Sequence, residues 1–211
     1  LLNFTELRIV NMGVISNGTT LLDAGALDSG VPTGVMTLLA TATASSSATI
    51  DFTSGIDSTY KEYMFKFIDI HPATNETQFA FQVDTGSNTS YGQTITSTFF
   101  RSILGEDGSG DALQYKGEQD QQQGTGLQKI CINVGNGNDE CCAGTLSLFN
   151  PSSATFVKSF IAHTNTYRGE DFTENGFLAG YVNTTTALTR VRFKMVSGNI
   201  DAGVIKMYGI K

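Results

Sequence analysis

Four oxygen-bearing side chains in one polar stretch, Asp107, Ser109, Asp111 and Glu118, fall at positions one, three, five and twelve of a calcium loop of the EF-hand type. Oxygen ligands at those intervals can wrap one hard cation. Two features depart from that pattern: Ala112 stands where the sharp turn calls for glycine, and no amphipathic helix flanks the stretch. A solvated acidic loop is the plainer reading, and the sequence calls for no cofactor and no resident metal.

The remaining reactive side chains are scattered. His71, beside Pro72, and His163, expected at a strand end, are too few and too far apart for a metal triad. A Ser-His-Asp arrangement assembles from distant positions, yet the chain has no Gly-x-Ser-x-Gly elbow to present a serine. Glycoside hydrolysis needs only two carboxylates, and no pair stands out among 20 acidic residues. No catalytic residue is therefore assigned. Cys131, Cys141 and Cys142 lack the Cys-x-x-Cys spacing of a zinc site. If Asn136-Gly137 is a two-residue hairpin turn, Cys131 stands opposite Cys142 and a bridge is conceivable; three free thiols on buried strands are the alternative. Tryptophan is absent, so a sugar-stacking platform would fall to Tyr91, Tyr115 or Tyr167, all near expected loops.

Composition narrows the partners. The net charge is −7 with a pI near 4.7, which opposes any reading built on neutralising phosphates, so no nucleic-acid partner is expected. Charged residues are only 16% of the chain, leaving Thr, Ser, Asn, Gln and Gly to cover the surface, as suits extracellular or assembly proteins. No stretch approaches the ~18 consecutive apolar residues of a membrane helix, and no membrane insertion is expected. Glu6 and Arg8 interrupt the early apolar residues, unlike a secretory leader. Position one is Leu rather than Met, so a processed or trimmed chain with a missing upstream segment is an open expectation.

The elements that would position these groups read as strands. Tyr63, Phe65, Phe67 and Ile70 follow a near two-residue period, and His71-Pro72 ends their strand. Phe79, Phe81 and Val83 alternate in the same way, and the pair predicts an antiparallel hairpin across Pro72 to Thr77. Ser54 to Thr59 predicts the turn that aims the first of them. Further strands are expected at Gln93 to Leu104, with Ile95, Phe99 and Ile103 inward, and at Leu127 to Val134 and Gly144 to Phe149, read as a second hairpin. Thr155 to Thr164 is expected to carry Phe156, Phe160 and Ala162 on one side and Lys158 on the other. Gly176 to Asn183, Leu188 to Val196 and Ala202 to Ile210 complete the set. No segment longer than a turn or two has a helical stripe, and no repeat of fixed period is visible. The fold class expected is all-β, an antiparallel sandwich over 47–211 with an arm or linker over 1–46. Within the arm, Phe4 to Val10 and Met12 to Ile15 read as short strands, Asn17 to Thr20 and Gly25 to Gly34 as turns, and Asp28 to Gly34 as a linker. The polar stretch Gly105 to Gly126 reads as one long loop, the first place to look for variable contacts.

The run Ala48 to Tyr60 (ATIDFTSGIDSTY), followed by Pro72-Ala73-Thr74, resembles virion structural proteins of tailed bacteriophages, especially tail-fibre-like proteins of phages of aquatic bacteria. Thr96 to Arg101, Phe149 to Ser153 and the terminal Gly198 to Gly209 add to the likeness, which covers most of residues 44–211. The resemblance implies a jelly-roll-like sandwich in a homo-oligomer, often a trimer, located in the virion after assembly in the host cytoplasm. Its partners would be other virion proteins and a host surface glycan or receptor. It transfers no catalytic residue. The expectation is a non-enzymatic tail fibre or receptor-binding appendage protein. A head-decoration protein and a depolymerase cutting host polysaccharide are the alternatives.

Overall fold

A computed structural model describes residues 35–211 and, before them, three short strands: β1 (Val14–Ser16), β2 (Thr19–Asp23) and β3 (Ala26–Leu27). These three pair antiparallel in a small sheet of their own. The strand expected at Phe4 to Val10 and the linker at Asp28 to Gly34 lie outside the described residues. Thr19 and Thr20, read as turn residues, begin β2, and Ala26 and Leu27, within another expected turn, form β3.

The rest of the chain runs through β4 (Met36–Thr43), β5 (Ile50–Phe52), β6 (Glu62–Pro72), β7 (Thr77–Thr85), β8 (Ile95–Gly105), β9 (Ala112–Tyr115), β10 (Gln122–Gly124), β11 (Gln128–Val134), β12 (Cys142–Phe149), β13 (Lys158–Arg168), β14 (Phe172–Val182), β15 (Leu188–Met195) and β16 (Ile200–Ile210). The large sheet has the order β4-β16-β6-β12-β13-β14-β8, with β9 and β10 on the free side of β8. The small one is β11-β7-β15-β5, and the pair Val134↔Arg168 joins the two at a corner. A 3-10 turn at Gly117–Gln119 is the only helical element among the described residues. The fold is thus an all-β, antiparallel sandwich.

Aromatic residues fill the space between the layers. Phe193 of β15 lies 5.2 Å, centroid to centroid, from both Phe65 and Phe67 of β6, and Phe52 stands edge-on to Phe65. Such pairs add ~0.5–1.5 kcal/mol each beyond the apolar area they bury. Inward placement survives a break in the alternation. Asp69 has φ +51° and Gly203, across the ladder, φ +122°, at the point where β6 shifts register against both β12 and β16. The bulge flips the parity, so Tyr63, Phe65 and Phe67 point inward at odd positions and Ile70 does so at an even one. A Cβ on Gly203 would come within 2.6 Å of the Asp69 carbonyl oxygen, so this side of the bulge requires glycine.

Both expected hairpins are corrected. β6 pairs with β12 and β16, whereas β7 pairs with β11 and β15. Likewise β11 and β12 lie in opposite sheets. The two aromatic stripes face one another instead of lying side by side: Phe67 meets Phe79 edge-on at 5.2 Å across the core. Connections such as Pro72 to Thr77 and Gly135 to Cys141 therefore carry the chain from layer to layer, while β12–β13 and β13–β14 are true hairpins.

Three further expectations change. Lys158 shares the parity of Phe160 and Ala162 and is buried with them; its ammonium donates to the carbonyls of Ser153, Phe156 and Thr184, which satisfies all three protons. Phe156, expected inside, precedes the strand and is exposed. The chain divides at Leu1–Met36 and Thr37–Lys211 rather than after residue 46. The reason is that β4 joins the large sheet beside β16, and Ala44 enters the core with its amide bonded to the Gly203 carbonyl at 2.8 Å.

Candidate attachment surface

The polar stretch Gly105 to Gly126 is built on β8 rather than hanging from it. β9 pairs with Ile103 to Phe100, and β10 pairs near Thr96 and Ile95. Between them the Asp120 carboxylate accepts the Phe99 amide at 2.8 Å and the Tyr115 hydroxyl. Glu106 to Asp111 is the longest part of it that remains a loop. There Asp107 accepts the Ser109 amide at 2.8 Å, a local turn whose bonds hold the carboxyl below its usual range. Strand β9 separates Asp111 from Glu118, and Glu118 is paired with Lys116. The four residues of the expected calcium pattern are therefore not brought together, and among the described residues no group of three His, Cys, Asp or Glu side chains converges.

Two adjoining hollows mark this end of the sandwich. One, of about 430 Å³, lies between the β8–β9 loop and the β13–β14 turn and is lined by Glu106, Asp107, Glu170 and Asp171. The other, of about 360 Å³, lies beside Leu104 and Tyr167. The Tyr167 hydroxyl donates to the Asp171 carboxylate at 3.5 Å, and the neighbouring Glu106 carboxylate, together with Asp171, pushes its pKa up to about 12. It stays protonated and acts as a donor, not as a base.

Beneath the loop end, Glu174 of β14 is buried between Arg101 of β8 and Arg168 of β13. Arg101 also donates to the Gln114 side chain, and Arg168 pairs with Glu170. Burial pushes the Glu174 carboxyl up in spite of both guanidinium groups. The group ties three strands together at this end of the sandwich.

The outward side of β8, β13 and β14 is of another kind. Its alternate positions run from Thr96 to Leu104, from Thr173 to Tyr181 and from Ser159 to Tyr167, and none is Asp, Glu, Lys or Arg. Across the middle, Phe100, Phe177 and His163 stand in register. Their rings stack at 4.9 Å and 4.4 Å with planes within 13°, and Asn175 holds the His163 Nε2 at 2.6 Å. Phe100, Ile161 and Leu104 are exposed, as are Leu113 and Tyr115 of β9. A shallow hollow of about 220 Å³ lies among Phe100, Ile161, Phe177 and Ala179. One row further, on β12, β6 and β16, the positions in line with His163 are Thr145, Lys66 and Lys206. The uncharged area is confined to one half of the sheet.

Sequence reasoning nominated three tyrosines for surface stacking. Tyr115 is on this face and Tyr167 at its end, but Tyr91 is 2% exposed, with the Arg192 guanidinium 4.0 Å above its ring. Phe100, Ile161 and Phe177 were missed. The signal lay in apolar residues at odd positions of Thr155 to Thr164 and at even positions of Gln93 to Leu104, opposite to those assigned to the core. His163 is mid-strand in β13 rather than at a strand end. The three cysteines are free. Burial and the neighbouring Cys131 thiol push the Cys142 thiol well up, and burial, Asp69 and Cys131 raise Cys141. Cys131 and Cys142 thus meet across the two layers and not through a hairpin register.

Fold and surface together define an all-β sandwich with a wide, uncharged and partly apolar outer face. Comparison with family models, with curated proteins and with solved structures finds no match for this chain. No helix among the described residues is long and apolar enough to cross a membrane.

Proposed function

We propose that this chain is a non-enzymatic structural component of a tailed-phage virion, foremost a tail fibre or receptor-binding appendage protein that reaches the host surface. The observation that carries the reading is the outer face of β8, β13 and β14: a broad neutral surface with Phe100, Ile161 and Leu104 exposed on rigid strands, where large exposed apolar patches mark contact with other macromolecules, here the subunits of a virion assembly, which leaves the loop end at Glu106 to Asp111 for the host. The motif resemblance over residues 44–211 supplies the setting. Repeated copies on a particle turn weak individual contacts into firm attachment by avidity.

A head-decoration role is the second reading. What favours it is β4, at the end of the large sheet, where Val35, Met36 and Leu38 are exposed; an apolar edge of that kind is a template for adding a strand from a neighbour. Labelling intact particles with an antibody raised against residues 47–211 separates the readings. Label on the tail appendages supports the first, label over the capsid shell supports the second, and particles that carry none of the chain overturn both.

A further inference from the structure

We propose that the outward face of β8, β13 and β14, with β9 at its margin, is the surface through which copies of this chain assemble with one another. The virion reading supplies only the biological setting, and the proposal stands whichever particle part carries the chain.

Three observations choose a second copy as the occupant. The first is charge. Each copy carries −7, so copies repel unless they meet where no like charges are opposed and no ionised group loses its water. The centre of this half of the sheet meets that condition, with the carboxylates of Glu106 and Asp120 only at its margins, whereas its continuation carries Lys66 and Lys206.

The second is ring orientation. A saccharide bound by stacking needs exposed ring faces. Here Phe100, Phe177 and His163 turn their faces to each other, with planes within 13°, and present edges outward. Edges beside Ile161 and Leu113 suit packing against protein side chains.

The third is area. Three strands of 11 residues each cover a rectangle of about 37 by 14 Å. That is about 500 Å² per copy, and two copies together reach the ~1,000 Å² at which specific interfaces begin. Within residues 37–211 nothing packs over the centre of this face.

The test is sedimentation velocity on the full chain over a wide concentration range, for wild type and for a variant with Phe100→Glu and Ile161→Glu. A second variant, Ala179→Arg, adds a charged side chain in the shallow hollow without removing a packed group. Lys66→Glu, on the charged half of the same sheet, is the control. Circular dichroism and a thermal melt establish that each variant is folded. The expected result is a wild-type multimer whose dissociation constant weakens by more than about 100-fold in a folded variant at the face, with the control unchanged. A wild type that is monomeric throughout, or a multimer that persists in both folded face variants, overturns the proposal. So does a monomeric wild type whose adsorption to host cells is lost on the same substitutions, which would assign the face to the host surface. Because no particle is involved, failure here leaves the virion reading to be judged by antibody labelling alone.

Discussion

On their inner side, strands β8, β13 and β14 set Phe99, Phe160 and Leu178 against the small sheet, where Phe160 meets Phe81 edge-on at 5.2 Å. On their outer side the same strands set Phe100, Ile161 and Phe177, and within residues 37–211 no second layer answers them. A sandwich sheet ordinarily alternates apolar inside with polar outside. Here both sides are apolar at the centre, yet they differ in charge management. The inner side hides ionised groups and pairs them, as in Arg101, Glu174 and Arg168, while the outer side has none to hide. The inner side thus makes the fold, and the outer side is left with a surface whose burial has to come from elsewhere.

That contrast is broken most severely from the inside. Phe193→Ala removes a ring that touches Phe52, Phe65, Phe67 and Phe79 and is expected to cost ~3–5 kcal/mol in urea unfolding. Next, Glu174→Gln leaves Arg101 and Arg168 buried without their shared carboxylate and is expected to cost about 3 kcal/mol. An unchanged midpoint would mean that water reaches the group.

Asp84, fully buried at the end of β7, gives a smaller and pH-dependent effect. Burial opposes its ionisation, but the amides of Tyr91 at 2.7 Å and Thr85 at 2.8 Å, with the Gln93 side chain, hold the carboxyl below its usual range. A depressed folded pKa means that this contribution is complete above the unfolded value, about 3.9, and is lost as pH falls through the lower folded one. Asp84→Asn is therefore expected to cost ~1–3 kcal/mol at neutral pH, and the gap to wild type should close below about pH 3.9. A gap independent of pH would contradict the assignment. The smallest effect on folding belongs to the outer face: Ile161→Glu should shift stability by less than ~1 kcal/mol while weakening self-association.

The strands themselves were legible because inward apolar residues at Tyr63 to Phe67, Phe79 to Val83 and Ile95 to Phe99 keep a two-residue period. What the period cannot say is which strand pairs with which. Two neighbouring apolar stripes look the same whether they lie side by side or face to face, so β6 with β7 and β11 with β12 were read as hairpins. Lys158 shows a second limit: a charged residue reads as outward until three backbone carbonyls are found around its ammonium. β9 and β10 were hidden because a strand at the sheet margin needs few apolar residues; its pairing comes from the backbone. The outer face was missed for the opposite reason. Phe99 and Phe100 are adjacent, and only one could be given to the core, so the other was left without a role.

The most direct measurement is hydroxyl-radical footprinting of Phe100, Ile161 and Phe177, comparing the dilute chain with the assembled state. The account predicts that all three are labelled in dilute solution and protected on assembly, while Tyr208 and Met64, on the other half of the same sheet, are labelled alike in both. Equal labelling of Phe100, Ile161 and Phe177 in the two states would contradict it.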